Sequence, residues 1–336
     1  MSFGTFGDAA QVHRLRQDGT RLQQEMQRLT QELSTGRQAD LGRATGGDFS
    51  TLAGLGRSLR LQTAFAQSIA EAGIDATARQ AALARVEAEI DGFAPHILGL
   101  ATGGSLQDMA LAIADAPERL GQAVAALNTR IADRSLFSGD TPDRPALMSS
   151  GEMLDHLRPL AAAALSAGDM VAAVEDWFLA PGSGFETLAW QGGTGAAPPA
   201  ILGEAQQEQT GITALDPALR EVLAGLALSA LAAEGTGPAG EADRRAVVAA
   251  SAARLERGED ALIRLRSDLG ASQARIEEAR VAAEAARASL EIEQTRLTEA
   301  DPYRTATELE AVQIRLEQLY ILTARLSRLT LSEYLR

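Results

Sequence analysis

Apolar residues recur along residues 15–33 at alternating steps of four and three: Leu15, Gly19, Leu22, Met26, Leu29 and Leu33. Such a repeat lays one stripe along a helix, the a/d seam of a helix pair. Gln, Arg, Glu and Thr fill the outward positions. The helix is expected to begin near Asp8 and to stop at STGR, where Gly36 suits a left-handed C-terminal cap. After the polar break GRATGGDFS, Asp48 or Ser50 is placed to cap a second helical stretch reaching about Leu100. Its apolar positions include Leu52, Leu59, Phe65, Ile69, Leu83, Val86 and Ile90, and Gly73 and Gly92 predict bends. TGGS at 102–105 reads as a turn, and one or two helices follow, with Pro117 at a break or in a first helical turn.

The pattern changes at LFSGDTPDRPAL, residues 136–147. From there to about 240 the chain gathers most of its prolines, both tryptophans and the loops APGSGFE, QGGTGAAPP and EGTGPAG. Met153–Ser166 and Asp216–Ala233 read as helices, while FETLAWQ and AAPPAILGE have the composition of strands. From Glu241 helical periodicity returns, with Arg287 and Glu291 at pairing distance along one face. Asp301-Pro302 interrupts it and caps a last helix, whose seam is Leu309, Val312, Leu316, Leu319, Thr323, Leu326 and Thr330.

The expected fold is mainly α: an elongated bundle of long helices built from both chain termini, carrying a small Pro/Gly-rich insert of mixed α/β or β structure. Its expected divisions are a terminal helical assembly region (1–42 and 301–336), a helical rod (43–135 and 241–300) and an outer insert (136–240). The two terminal helices would cover each other's seams. The last helix has more apolar surface than that pairing buries, since Ile314, Ile321, Leu322, Leu329, Leu331 and Tyr334 lie off the strict seam. Large uncovered apolar surface marks an interaction site. The expected assembly interface is therefore Leu15, Leu22, Met26, Leu29 and Leu33 with Leu309, Val312, Leu316, Leu319, Leu326 and Leu329.

Composition narrows the function by exclusion. The net charge of −14 leaves no basic field for nucleic acid or for anionic lipid. All 31 basic residues are Arg, so a Walker-type phosphate loop and a Lys Schiff base are both impossible. With no Cys there are no disulfides, thiol nucleophiles or zinc-thiolate sites. His13, His96 and His156 stand singly, each far from the next. PGSGFE lacks the spacing of a nucleophile elbow and reads as a turn, and QGGTGAAPP lacks the Lys and flanking strand of a phosphate cradle. Neither an enzyme nor a cofactor-binding protein is expected. No basic, then apolar, secretory leader is visible, and no 18-residue apolar run is present.

The C-terminal stretch ADPYRTATELEAVQIRLEQLYILTARLSRLTLSEYLR resembles the C-terminal helix of the flagellin superfamily. The matching pieces are Ala300, Asp301, Tyr303, Ala306, Thr307 and Glu308, then Leu331, Ser332, Tyr334, Leu335 and Arg336. RLQQEMQRLTQELSTGR looks like the N-terminal partner helix. RIADRSLFSGDTPDRPAL, in which Leu136, Phe137, Ser138 and Gly139 open the insert, is similar to the corresponding stretch of the hook–filament junction proteins within that superfamily. The resemblance implies a structural subunit of the bacterial flagellum that joins hook to filament by helical self-assembly. It implies copies of itself in a ring, a hook-side junction protein, flagellin, the flagellar export machinery and an export chaperone as partners. It also implies an extracellular location reached without a cleaved signal peptide. The alternatives are a flagellin-like filament subunit and a cytoplasmic coiled-coil scaffold or chaperone.

Overall fold

The computed structural model describes the backbone of residues 5–44, 46–209 and 211–334, and the side chains of these residues other than 5–9, 12, 44 and 326–334. The protein is mainly α and divides into two compact units. One combines Met1–Gln62 with Ala285–Arg336; the other is Thr63–Glu284.

The first unit holds α1 (Thr5–Thr35), the short α2 (Leu41–Ala44), the start of α3 (Ser50–Ile90), the end of α10 (Glu241–Thr298) and α11 (Pro302–Tyr334). Helix α1 stops because Gly36 turns to φ 67°, and its N–H closes on Glu32 O at 2.9 Å. The Asp48 carboxylate accepts from Ser50 N at 2.8 Å and so caps α3. Proline cannot continue the hydrogen-bond ladder of α10. Asp301 instead accepts from Tyr303 N and Arg304 N at the start of α11.

The second unit contains the rest of α3 and of α10. Between them come α4 (Phe93–Gly103), α5 (Leu106–Ala112), α6 (Ala116–Leu127), α7 (Ser150–Ala163), α8 (Ala167–Leu179), a π-helical turn (Phe185–Ala189) and α9 (Pro217–Ala233). Two antiparallel ribbons of two-residue strands complete it: β1 (Arg130–Ile131) with β2 (Arg134–Ser135), and β3 (Ala200–Ile201) with β4 (Gln207–Glu208). The bend expected at Gly92 is a helix break at φ 69°, whereas α3 runs unbroken through Gly73. Ser149 and Glu152 form a reciprocal capping box on α7.

The core of this unit is α9, whose residues from Ala218 to Leu231 are nearly all buried because α6, α7 and α8 pack around it. Glycines let α10 come close: a Cβ on Gly225 would lie 2.7 Å from Leu255 Cδ2, and one on Gly258 2.8 Å from Val222 Cγ2. Buried Ser229 and Ser251 satisfy one another across that contact.

Helices over Ser150–Ala163 and Pro217–Ala233 match the periodic segments closely. FETLAWQ is helical instead of extended. Phe185 is drawn into an aromatic group with Trp177 and Phe178, at ring-centroid distances of 6.2 and 5.4 Å, and the π turn supplies the geometry. AAPPAILGE contributes only the two residues of β3, and α8 occupies a stretch where no helix was expected. The regular structure of the insert region is thus mostly helix.

Candidate assembly interface

Helices α1 and α11 form an antiparallel hairpin within the first unit. Its closed end is stitched by backbone: Ala300 N donates to Gly36 O at 3.0 Å, and Gln38 N to Thr298 O at 2.8 Å. The Gln38 side chain adds a bond to Glu299 O at 3.1 Å. Both chains therefore break at one level, with Gly36 on one side and Asp301-Pro302 on the other.

Along the hairpin, Leu22, Leu29, Val312 and Leu316 form a small buried core, against which Met26, Leu309 and Leu319 pack. Gly19 belongs to the same stripe because Leu319 Cδ2 would touch a Cβ there at 3.6 Å. Seven of the eleven residues expected in the interface are thus brought together. Leu15 is half-buried, and Leu33 is 42% exposed. The side chains of Leu326 and Leu329 lie outside the described residues.

The outer surface of α11 is apolar at Ile314, Ile321 and Leu322, three of the residues expected off the strict seam; the side chains of the other three, Leu329, Leu331 and Tyr334, lie outside the described residues. Ile314, Tyr320, Ile321 and Leu322 are each more than half exposed. Tyr320 adds a polar lock, its hydroxyl accepting from Gln23 Nε2 at 2.9 Å. The outer face of α1 shows no such stripe: Gln17, Gln24, Gln31, Arg14 and Arg21 are all exposed.

One residue of the hairpin was not signalled by its pattern. Glu32 sits at an outward heptad position yet is 6% exposed. Arg28 Nη1 donates to both its oxygens at 2.8 and 2.9 Å, and Ala39 N donates to Oε1 at 3.0 Å. It ties the chain leaving α1 back onto the helix, satisfying backbone that Gly36 leaves open.

The start of the insert is a separate site, within the second unit. Leu136 and Phe137 are buried, and Ser138 is fully buried with Oγ donating to Thr141 O at 2.8 Å. Gly139 has φ 69°, and a Cβ there would lie 2.6 Å from Gly195 O. Gly193 N donates to Ser138 O, and Asp140 N to Gly195 O, so the QGGTG loop is closed against these residues. Arg79, 4% exposed, holds the same place from α3. It donates to Asp75 Oδ2 at 2.9 Å and to Ile212 O at 2.7 Å, with its guanidinium 5.7 Å from the Phe137 ring centroid.

Among the described residues no group of three His, Asp or Glu is placed to hold a metal ion, and no helix is long and apolar enough to cross a membrane.

Residues 256–335 match the bacterial flagellin C-terminal helical region. The C-terminal region is flagellin-like. That match takes in most of α10 and the whole of α11, the helix with the uncovered apolar face. The fold is similar to a solved structure described as a flagellar hook-associated protein of Vibrio parahaemolyticus. The TM-score is 0.51 and the identity 15%, and the likeness covers 73% of this chain and 95% of that one. At that identity the likeness is one of fold. Comparison with curated proteins finds no match.

Proposed function

We propose that this flagellin-like chain is a structural subunit of the bacterial flagellum, the adaptor that joins hook to filament. The observation that carries the reading is the apolar face of α11 at Ile314, Tyr320, Ile321 and Leu322. It lies beyond the seam that α1 covers, in the segment that matches the flagellin C-terminal region. Burying it requires further helices, and neighbouring copies in a ring provide them. Leu15, Leu22, Met26, Leu29 and Leu33 with Leu309, Val312, Leu316, Leu319, Leu326 and Leu329 hold the hairpin that presents this face. The resemblance of residues 130–147 to the hook–filament junction proteins supports the junction protein over a filament subunit. The work is mechanical and needs no cofactor. The partners are further copies, a hook-side junction protein, flagellin, the export machinery and an export chaperone. The chain acts outside the cell, exported without cleavage of a signal peptide.

The test is a clean deletion in the native host, with electron microscopy of the cells and a blot of the medium for flagellin. Bare hooks with flagellin released into the medium are expected. Hooks bearing intact filaments would overturn the adaptor reading and leave a minor filament subunit.

A further inference from the structure

A groove of about 480 Å³ opens on the second unit, between α3, the turn of the β1–β2 ribbon and the segment entering β3. Buried Ala72 and Leu136 line its depth. Ile74, 59% exposed, lines it from α3, and exposed Pro198 and Pro199 line it from the segment before β3. With so much of its lining open to water, the groove cannot enclose a small molecule, but it fits a chain laid along it.

Two of its walls are shaped in advance. Ala197 O accepts from Gln209 Nε2 at 2.9 Å, and Ala200 pairs with Glu208, which Arg275 of α10 grips at 2.9 and 2.7 Å. Between those anchors the two prolines fix their own φ and leave no N–H to satisfy. The ribbon turn holds Ala132 and Asp133 at φ 46° and 62°, a conformation that alanine disfavours. Ser135 N donates to Pro142 O at 2.7 Å, Leu136 N to Thr129 O at 3.2 Å, and Arg130 Nη2 to Asp133 O, which keeps the turn in place. Strain retained by its surroundings marks functional walls, and a preformed wall costs little ordering on binding.

Charge selects the occupant. Thr63–Glu284 holds 16 Arg against 31 Asp and Glu, a formal charge of −15, which leaves +1 for the other unit. At the groove itself Asp75 is engaged by buried Arg79, but exposed Glu71 forms no ion pair among the described residues. A second copy of this unit is repelled, whereas a cation is drawn in.

We propose that this groove docks an extended, basic and apolar segment of another protein. Alternate apolar side chains of that segment pack on Ile74, Leu136 and the prolines, and a cationic one meets Glu71. Arg134, on the ribbon, donates to its backbone carbonyls. The site is one that the assembly reading does not use, and it stands or falls separately from it.

The experiment is fluorescence anisotropy of a labelled, end-blocked decapeptide alternating Leu and Arg, titrated with the purified full chain. Ile74→Glu and Glu71→Arg are measured beside wild type, with Glu118→Arg as a control of matched charge. Glu118 is exposed, and its neighbour Arg119 reaches Glu89 O, fifteen residues along α3 from Ile74 and so about 20 Å away. Ile74 and Glu71 are both exposed, so unchanged melting temperatures are expected of their variants. The expected result is binding that Ile74→Glu and Glu71→Arg each weaken about tenfold or more, and that Glu118→Arg changes less than twofold. Tighter binding by Ile74→Glu, or equal weakening by Glu118→Arg, would show attraction to bulk charge and overturn the proposal. Equal binding of peptides with Glu in place of Arg or Ser in place of Leu overturns it too, as does no binding at all. A hydrophobic dye that binds the groove and is not displaced by the peptide would give the site to a small apolar ligand instead, and disappearance of peptide binding as the chain self-associates would give it to a second copy.

Discussion

Replacing Leu29 by Ala tests whether the α1–α11 hairpin is a separately stabilised element. Leu29 is 1% exposed and, among the described residues, shares its core with Leu22, Val312 and Leu316, with Met26, Leu309 and Leu319 at the edge. Burial of each of the four core side chains contributes about 2 kcal/mol, so the seam supplies at most about 8 kcal/mol toward ordering two long helices. Leu→Ala at a buried site costs about 2–5 kcal/mol. A two-helix seam relaxes more readily than a deep core, so about 2–3 kcal/mol is expected. That loss lowers the protection of hairpin amides by about 30- to 150-fold. The assay is hydrogen exchange of the monomer read by mass spectrometry. Peptides covering 15–33 and 305–325 should exchange faster, while α9 peptides, buried in the other unit, keep their wild-type rates. Faster exchange in α9 to the same degree would show one cooperative structure and refute the reasoning. Unchanged exchange in the hairpin would show that the seam contributes little.

Gly139→Ala combines a φ of 69° with a Cβ placed 2.6 Å from Gly195 O. It should lower the stability of the second unit by about 2 kcal/mol or more in thermal melting. Gly36→Ala, at φ 67° with nothing within 4 Å, should lose only the backbone cost of about 1 kcal/mol. Gly258→Ala sets a helix-propensity gain of about 1 kcal/mol against a Cβ 2.8 Å from Val222 Cγ2 and 3.0 Å from Val222 N. Overpacking against backbone should win by about 1–2 kcal/mol, and a higher melting temperature would refute so close an α9–α10 contact. The Arg275 guanidinium donates to both oxygens of buried Glu208 at 2.9 and 2.7 Å and holds its carboxyl below the ordinary value of 4.5. A depressed pKa contributes stability above pH 4.5 that disappears as pH falls through the folded value. Glu208→Gln should therefore melt earlier than wild type at neutral pH, and the difference should close on acidification below that point. A difference independent of pH would refute the ion pair's role.

The periodic elements were legible in the sequence because a heptad records which side of a helix is covered. The seam at 22–29 with 309–319, the stop at Gly36, the caps at Asp48 and Asp301, and exposed apolar residues on α11 appear in the structure, whereas Leu33 at the end of the first seam is exposed. These features depend on residues within a turn or two of each other, the range over which a linear pattern carries information. FETLAWQ misled because its aromatic and β-branched residues suit a strand. What decides its conformation is the packing of Phe185 on Trp177 and Phe178, with Gly184 so near Trp177 that a Cβ would fall 2.0 Å from Nε1.

Other features belong to the tertiary structure because their partners are distant in sequence. Glu32 reads as a solvated heptad position until the returning chain at Ala39 covers it. The burial of Arg79 depends on Ile212 O and Phe137, which arrive from residues far along the chain. The LFSG stretch carried its resemblance in the sequence, but the need for glycine at 139 comes from the backbone of Gly195 lying against it. The charge of −14 is a property of composition, whereas its separation into a body of −15 and one of +1 is not. That separation depends on folding, which joins the first 62 residues to the last 52 and leaves most of the acidic side chains in the other unit.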